Sequence, residues 1–139
     1  MARIILYLTL ATVLLSCEDD NRDTNHLLGQ WRVISREEIA TGVVTGFPDT
    51  IDSKVLLNLT NDTLQLIGCE RVLGESRYSI VGDKIYVESF SIIEPCAVYE
   101  WIEITHKSVS LAQSYSLNNG KLQLNSSSQG RFHLVLSIE

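Results

Sequence analysis

The chain is poor in the features that separate domains or span membranes. It has two prolines and eight glycines in 139 residues, and none of these forms a linker-like run or an internal repeat. The composition therefore indicates one domain with a modest core. The apolar segment 4–15 falls well short of the roughly 20 residues that cross a bilayer, so it does not predict a spanning helix.

Motifs of catalysis and metal binding are also missing. No serine lies in a nucleophile-elbow motif, no phosphate-binding loop occurs, and the three histidines show no ligand spacing. Glu37 and Glu38 are adjacent, so on a strand they would point to opposite faces and could not act together on one substrate atom. We therefore predict a protein that is not an enzyme, with no catalytic residue, no metal ligand and no cofactor.

The first residues have the pattern of an export signal. In residues 1–16 a single arginine, Arg3, precedes the apolar segment, as in a signal peptide. Leu14-Leu15-Ser16-Cys17 then resembles the lipobox of bacterial lipoproteins, in which a small residue precedes a cysteine whose thiol accepts a diacylglyceryl group. We expect Cys17 to carry lipid and to anchor the protein in the bacterial cell envelope, at the outer membrane. A plain secretory peptide is the alternative.

Charge limits the partners of the mature chain. Removal of residues 1–16 takes away one of eleven basic residues and none of seventeen acidic ones, which leaves a formal charge of −7. Such a surface disfavours nucleic acid and anionic lipid headgroups. The expected partners are the membrane, through the lipid on Cys17, and an unidentified protein or small apolar ligand. Residues 17–26 hold no large apolar side chain and predict a flexible acidic tether, and residues 27–139 form the domain.

Short alternating runs predict strands in most of that domain. Val55, Leu57 and Leu59 share one face of such a run. Gly82-Asp83 is typical of a two-residue hairpin turn, and Asn118-Asn119-Gly120 between two further runs also predicts a hairpin. Residues 97–112 differ, because their apolar side chains recur at helical spacing, although a strand remains the alternative there. The pattern predicts one compact β-rich unit with a single helix.

Two cysteines remain if Cys17 is acylated. Cys69 and Cys96 would lie in an oxidising compartment, where an even pair is expected to form a disulfide. A redox or metal pair is the alternative, but the spacing is not Cys-x-x-Cys.

A series of short motifs follows one order along the domain. The motifs are Leu28-Gly29-Gln30-Trp31, Gly68-Cys69, Gly74, Tyr78, Gly82-Asp83-Lys84-Ile85, Pro95-Cys96 and the segment 115–124. In this order they resemble the META domain family of secreted or lipid-anchored bacterial domains, which includes a heat-shock-inducible lipoprotein. The resemblance implies a β-rich α+β fold, a curved antiparallel sheet or partial barrel packed on one helix, and a role in envelope stress tolerance without a catalytic mechanism. Glu70 departs from the asparagine usual in the family.

The two tryptophans admit two interpretations. Trp31 and Trp101 could line a ligand pocket, since concave sites favour aromatic walls, or they could be core residues. The pocket interpretation leads to a lipocalin-like binder of small apolar ligands, because Leu-Gly-x-Trp also occurs in lipocalin-like domains. A further alternative is an inhibitor of a secreted hydrolase that presents the loop 45–53.

Overall fold

The structure is a computed structural model that describes residues 24–93 and 96–139. The predicted signal peptide, the acylation site Cys17, most of the predicted tether and Pro95 lie outside these residues. No helix in the described part of the chain is long and apolar enough to cross a membrane.

The described residues form nine strands, one α-helix and a short 3-10 helix at Thr24–Leu27. The strands are β1 (Gly29–Glu38), β2 (Val44–Gly46), β3 (Val55–Leu59), β4 (Thr63–Gly68), β5 (Arg71–Val81), β6 (Lys84–Val87), β7 (Ala112–Asn118), β8 (Lys121–Ser126) and β9 (Phe132–Ile138). The helix α1 spans Tyr99–Ser110, which confirms the helix predicted within residues 97–112.

All strands are antiparallel, and eight of them close into a barrel. From β3 to β9 each strand pairs with its neighbour in sequence, and β1 joins the two edges by pairing with β3 and with β9. The short β2 pairs with β1 along the same edge as β3, but farther along β1, at residues 35–37. The predicted β-rich fold with one helix is therefore confirmed, and the sheet is closed.

Three two-residue turns determine the register of the hairpins. Positive φ angles at Gly82 and at Asn119-Gly120 allow the tight turns predicted at β5–β6 and β7–β8. A third turn, Cys69-Glu70, joins β4 to β5 with φ angles of 49° and 61°. The sequence did not predict this turn, because neither residue has the freedom of glycine at positive φ.

A β-bulge in β1 reverses the faces of that strand. Val33 pairs with Leu136 and Ser35 pairs with Val135, so Ile34 is the extra residue. Its carbonyl oxygen accepts a hydrogen bond from the amide of Phe47 at 2.8 Å. Before the bulge the odd-numbered residues face inward, and after it the even-numbered residues do, because a shift of one residue moves every later side chain to the other face.

The helix covers one end of the barrel. Trp101, Ile102 and Val109 on its inner face are buried, in keeping with the predicted apolar stripe. A Cβ atom at Gly68 would lie 2.9 Å from Leu73 Cδ1 and 3.0 Å from Ile102 Cδ1, so a larger residue there would displace these methyl groups of the sheet and of the helix.

The opposite end is closed by the residues that precede β1. Leu27 is 1% exposed, and its carbonyl oxygen accepts a hydrogen bond from Trp31 Nε1 at 2.8 Å. The 3-10 helix begins at Thr24, within the predicted tether and three residues before the predicted start of the domain. The chain therefore enters the barrel at the end remote from α1. We call this the entry end.

The expected disulfide is present. Cys69 and Cys96 are bonded, with their Cα atoms 6.4 Å apart. The bond joins the β4–β5 turn to the chain just before α1, so it holds the helix onto the barrel by a covalent link.

Removal of this bond should lower stability strongly. For a sequence separation of 27 residues, loss of the cross-link lowers the free energy of unfolding by about 3–4 kcal/mol, because the unfolded chain gains loop entropy. Urea denaturation of the Cys69→Ser/Cys96→Ser double variant measures this change. A loss below about 1 kcal/mol would contradict a stabilising role for the cross-link.

Candidate functional site

The two tryptophans lie at opposite ends of the barrel. Trp31 is 2% exposed and contacts Leu27 at the entry end, whereas Trp101 is 4% exposed on α1. The ring of Trp101 lies 4.9 Å from that of Phe47, centroid to centroid. The structure therefore places both indoles in the core and does not bring them together in one pocket.

The inward-facing side chains occupy the barrel interior. Buried residues of the described strands and of α1 form one contiguous core, and many of them are 0–1% exposed. A lipocalin-like binder would need an internal cavity in the space that these side chains fill. The members that the strands contribute include Val33, Val55, Leu57, Leu64, Leu66, Leu122, Leu124, Leu134 and Leu136.

The most distinctive polar group at the covered end is Arg36. After the bulge its side chain faces inward and is 17% exposed. The guanidinium carbon lies 4.9 Å from the Trp101 ring centroid and 4.8 Å from that of Phe132, so the cation contacts one aromatic ring from α1 and one from β9. Arg36 thereby links the helix to the strand that closes the barrel.

A surface groove runs beside this arginine. It lies between α1, the loop 127–130 and the start of β9, and it encloses about 380 Å³. We call it the helix groove. Arg36, Lys107 and Arg131 supply its positive charges, and Glu100 and Glu103 supply negative ones. A groove with both signs of charge and an aromatic wall, Phe132, suits contact with a polar or charged partner group.

Each cation of the helix groove pairs with a glutamate. Arg36 Nη1 lies 3.1 Å from Glu100 Oε1, and Lys107 Nζ lies 2.7 Å from Glu103 Oε1. Because the Glu100 side chain is 73% exposed, its pair with Arg36 is the kind that contributes little to stability and exchanges readily. The neighbouring Glu103 carboxylate raises the pKa of Lys107 by accepting its hydrogen bond.

The third pair involves Glu38 and Arg131, whose Nε lies 3.3 Å from Glu38 Oε1. The Thr41 hydroxyl donates a hydrogen bond to Glu38 Oε2 at 2.8 Å. These two donors, with Thr41 the larger cause, lower the pKa of Glu38 below its ordinary value. Glu38 is therefore a carboxylate at neutral pH. The register confirms that Glu37 and Glu38 face opposite sides, because Glu37 pairs with His133 and Glu38 with Phe132.

Two histidines make structural contacts. The Nε2 atom of His106 lies 2.7 Å from the carbonyl oxygen of Phe90, whose ring meets the imidazole edge-on. The Nδ1 atom of His133 accepts a hydrogen bond from the amide of Ser126 at 3.1 Å. Within residues 24–93 and 96–139, no group of three or more histidine, cysteine or acidic side chains is placed to hold a metal ion.

Comparison with known proteins shows a fold in common with two solved structures. A DUF4847 family protein from Bacteroides vulgatus superposes with a TM-score of 0.56 at 11% identity, over 80% of this chain and 92% of that one. A protein from Burkholderia xenovorans superposes with a TM-score of 0.63 at 11% identity, over 84% of this chain and 86% of that one. No family model matches the chain, and no curated protein is significantly similar to it.

These similarities extend to architecture and no further. At 11% identity they show the shared fold of the barrel. The resemblance to the META family stays a prediction that rests on the order of the motifs.

Sequence reasoning missed Arg36. The alternation of β1 predicts that Trp31 and Val33 face inward, and its continuation would place Ser35 inward and Arg36 outward. The bulge at Ile34 makes that continuation wrong. The sequence does contain a sign of the bulge. Val33 and Ile34 are two successive apolar residues, and such a break in the alternation is a place where a strand can change the face that it turns inward.

Two variants should distinguish the stability that Arg36 contributes through its cation–π contacts from the stability that it contributes through its ion pair. We expect Arg36→Ala to lower the free energy of unfolding by about 1–2 kcal/mol, since two aromatic contacts are lost. Glu100→Gln should lower it by about 0.5 kcal/mol or less, because the pair is exposed. Urea denaturation measures both, and equal losses in the two variants would contradict this assignment.

The lowered pKa of Glu38 should depend on Thr41. Thr41→Val removes the hydroxyl donor, so the pKa of Glu38 should rise toward its ordinary value of 4.5. Because the folded-state pKa is depressed, the stabilisation is present above the unfolded-state value and is lost as the pH falls through the folded value. The variant should therefore lose less stability on acidification.

The titration of the Glu38 side-chain carboxyl carbon by NMR measures this shift directly. Thr41→Ser retains a hydroxyl and serves as the matched control, which should keep the pKa low. An unchanged pKa in Thr41→Val would show that Thr41 is not the main cause.

Proposed function

We propose that the protein is a non-enzymatic lipoprotein of the bacterial cell envelope, acylated at Cys17, which acts through the surface of its barrel. The observation that carries the proposal is the Cys69–Cys96 disulfide. Disulfides form and persist in oxidising compartments outside the cytosol, and an N-terminal export signal delivers a chain there. The bonded pair and the lipobox-like residues support the same destination, with the outer membrane as the expected location.

The helix groove is the surface we propose for partner binding. Its walls are held rigidly, because α1 is joined to the sheet by the disulfide and by the contacts of Arg36. Its exposed ion pairs can exchange one carboxylate for another at little cost. These properties fit recognition of charged groups on another envelope protein, and the META resemblance adds envelope stress tolerance as the setting.

The chemistry of the groove favours binding over catalysis. General acid–base catalysis works best when the catalytic pKa lies near the working pH. The pKa of Glu38 moves in the opposite direction, away from neutrality. Glu38 is the carboxylate that pairs with Arg131 of the groove wall.

A hydrolase inhibitor is the second candidate, and the loop 45–53 favours it. Phe47 anchors this loop through its ring contact with Trp101 and its amide hydrogen bond to Ile34. Asp49 and Thr50, by contrast, are exposed. A loop fixed at its base and exposed at its tip suits insertion into an active site. Inhibition assays against lysozymes and proteases test this candidate, and loss of inhibition in Asp49→Ala/Thr50→Ala would assign it to the loop.

Acylation is tested by Cys17→Ser. We expect this variant to lose fatty-acid labelling and membrane association, because serine lacks the thiol that accepts the diacylglyceryl group. Metabolic labelling with palmitate, followed by membrane fractionation, measures both. Cys69→Ser is the matched control and should still be labelled. Persistent labelling of Cys17→Ser would overturn the lipoprotein proposal.

A further inference from the structure

Exposed apolar side chains are arranged around part of the entry end. Val81 at the end of β5 is 59% exposed, Leu117 near the end of β7 is 36% exposed, and Ile138 at the end of β9 is 57% exposed. The 3-10 helix that leads into β1 lies at this same end, where Leu27 closes the barrel. These residues therefore surround the point at which the chain enters the domain.

Two lysines lie between these apolar residues. Lys84 begins β6 and Lys121 begins β8, and both are exposed. Along the five consecutive strands β5–β9 the entry end therefore presents an apolar residue, a lysine, an apolar residue, a lysine and an apolar residue. We call this arc the entry rim: Val81, Lys84, Leu117, Lys121 and Ile138.

The rest of the entry end differs in chemistry. The β3–β4 turn contributes Asn61 and Asp62, which are exposed, and Arg77 pairs with Asp62 at 3.6 Å. This side is polar, and its cation already has a carboxylate partner. At the entry end, the exposed apolar residues and the two lysines thus fall on one arc, apart from the Asn61–Asp62 turn.

Chain length places the entry rim near a bilayer if Cys17 is acylated. Thr24 is the seventh residue after Cys17, and a fully extended chain spans at most about 3.6 Å per residue, so these seven steps span roughly 25 Å. The helix groove lies at the other end of the barrel and so farther from the anchor. A lipid on Cys17 would therefore hold Thr24, and with it the entry end, within about 25 Å of the membrane surface.

We propose that the entry rim rests on the lipid bilayer and orients the barrel with the helix groove facing away from the membrane. This inference rests on the proposed acylation of Cys17. Side chains such as Val81 and Ile138 would enter the boundary between headgroups and acyl chains. The lysines would extend their alkyl stems over the same boundary and place their amines against lipid phosphates.

Amine acetylation of the acylated protein on vesicles tests the orientation. The vesicles contain phosphatidylcholine with a minor fraction of phosphatidylglycerol, because neither lipid has an amine that reacts. Lys84 and Lys121 should be acetylated several-fold more slowly on vesicles than in detergent-free solution of the unacylated domain. Lys107 on α1 serves as the internal control and should react at the same rate in both.

Two double variants at similarly exposed positions distinguish contact through the entry rim from a general effect of the membrane on lysine reactivity. Val81→Glu/Ile138→Glu replaces two residues that are 59% and 57% exposed, and it should restore the reactivity of Lys84 and Lys121. Val43→Glu/Val44→Glu replaces residues that are 58% and 62% exposed beside the other end, and it should leave the protection unchanged. Circular dichroism checks that both variants fold.

Three results would contradict the orientation or the acylation, and each differs from the others. If the protein floats with vesicles and Lys84 and Lys121 react as fast as in solution, the orientation is wrong while the acylation stands. If Lys107 is the protected lysine instead, the groove end faces the lipid and the proposal is overturned. Failure of the wild-type protein to float would overturn the acylation and, with it, this proposal.

Discussion

Pairing between β1 and β9 is the interaction on which the rest of this structure depends. Every other neighbouring pair from β3 to β9 joins strands that are adjacent in sequence, but this pair brings together the two ends of the domain. Without it the sheet would have two open edges, with unpaired backbone groups and an apolar inner face exposed to water. Closure buries Val33, Leu134 and Leu136 completely.

The same pairing builds the helix groove. The register of β1 and β9 places Glu38 opposite Phe132, and it places Arg36 beside the aromatic ring that it contacts. The bulge at Ile34 is part of this arrangement, since it turns Arg36 and Glu38 to the inner side after Trp31 and Val33 have already faced inward. The groove is therefore a consequence of how the barrel closes and of where the strand changes face.

The two ends of the barrel differ in the side chains that they expose. The end under α1 carries charged pairs on a rigid base, with the disulfide holding the helix in place. The entry end carries exposed apolar residues and lysines around the point where the chain enters. Under the two proposals, one small domain would attach to the membrane by one end and recognise a partner by the other.

The sequence predicted the local features and missed those that depend on distant contacts. Alternation identified strands such as Val55–Leu59, and helical spacing identified α1, because both patterns arise within one element. The disulfide was predicted by counting the cysteines that remain if the chain is exported and Cys17 is acylated. The bulge and the groove required the register between β1 and β9, which no local pattern specifies. The Cys69-Glu70 turn was missed because the fold holds two unfavourable residues at positive φ.

Native-state hydrogen exchange of the backbone amides tests closure most directly. If the β1–β9 pairing holds the barrel together, the hydrogen-bonded amides of both strands exchange only through global unfolding, with the free energy that denaturant unfolding gives. In the described part of the chain, the β6–β7 pair has one register pair, Lys84 with Ser114, and a hydrogen bond from the Tyr115 amide to the Asp83 carbonyl oxygen. This short pairing should open more easily. Exchange of the β1 and β9 amides through a local opening, at free energies as low as those of β6–β7, would contradict the account.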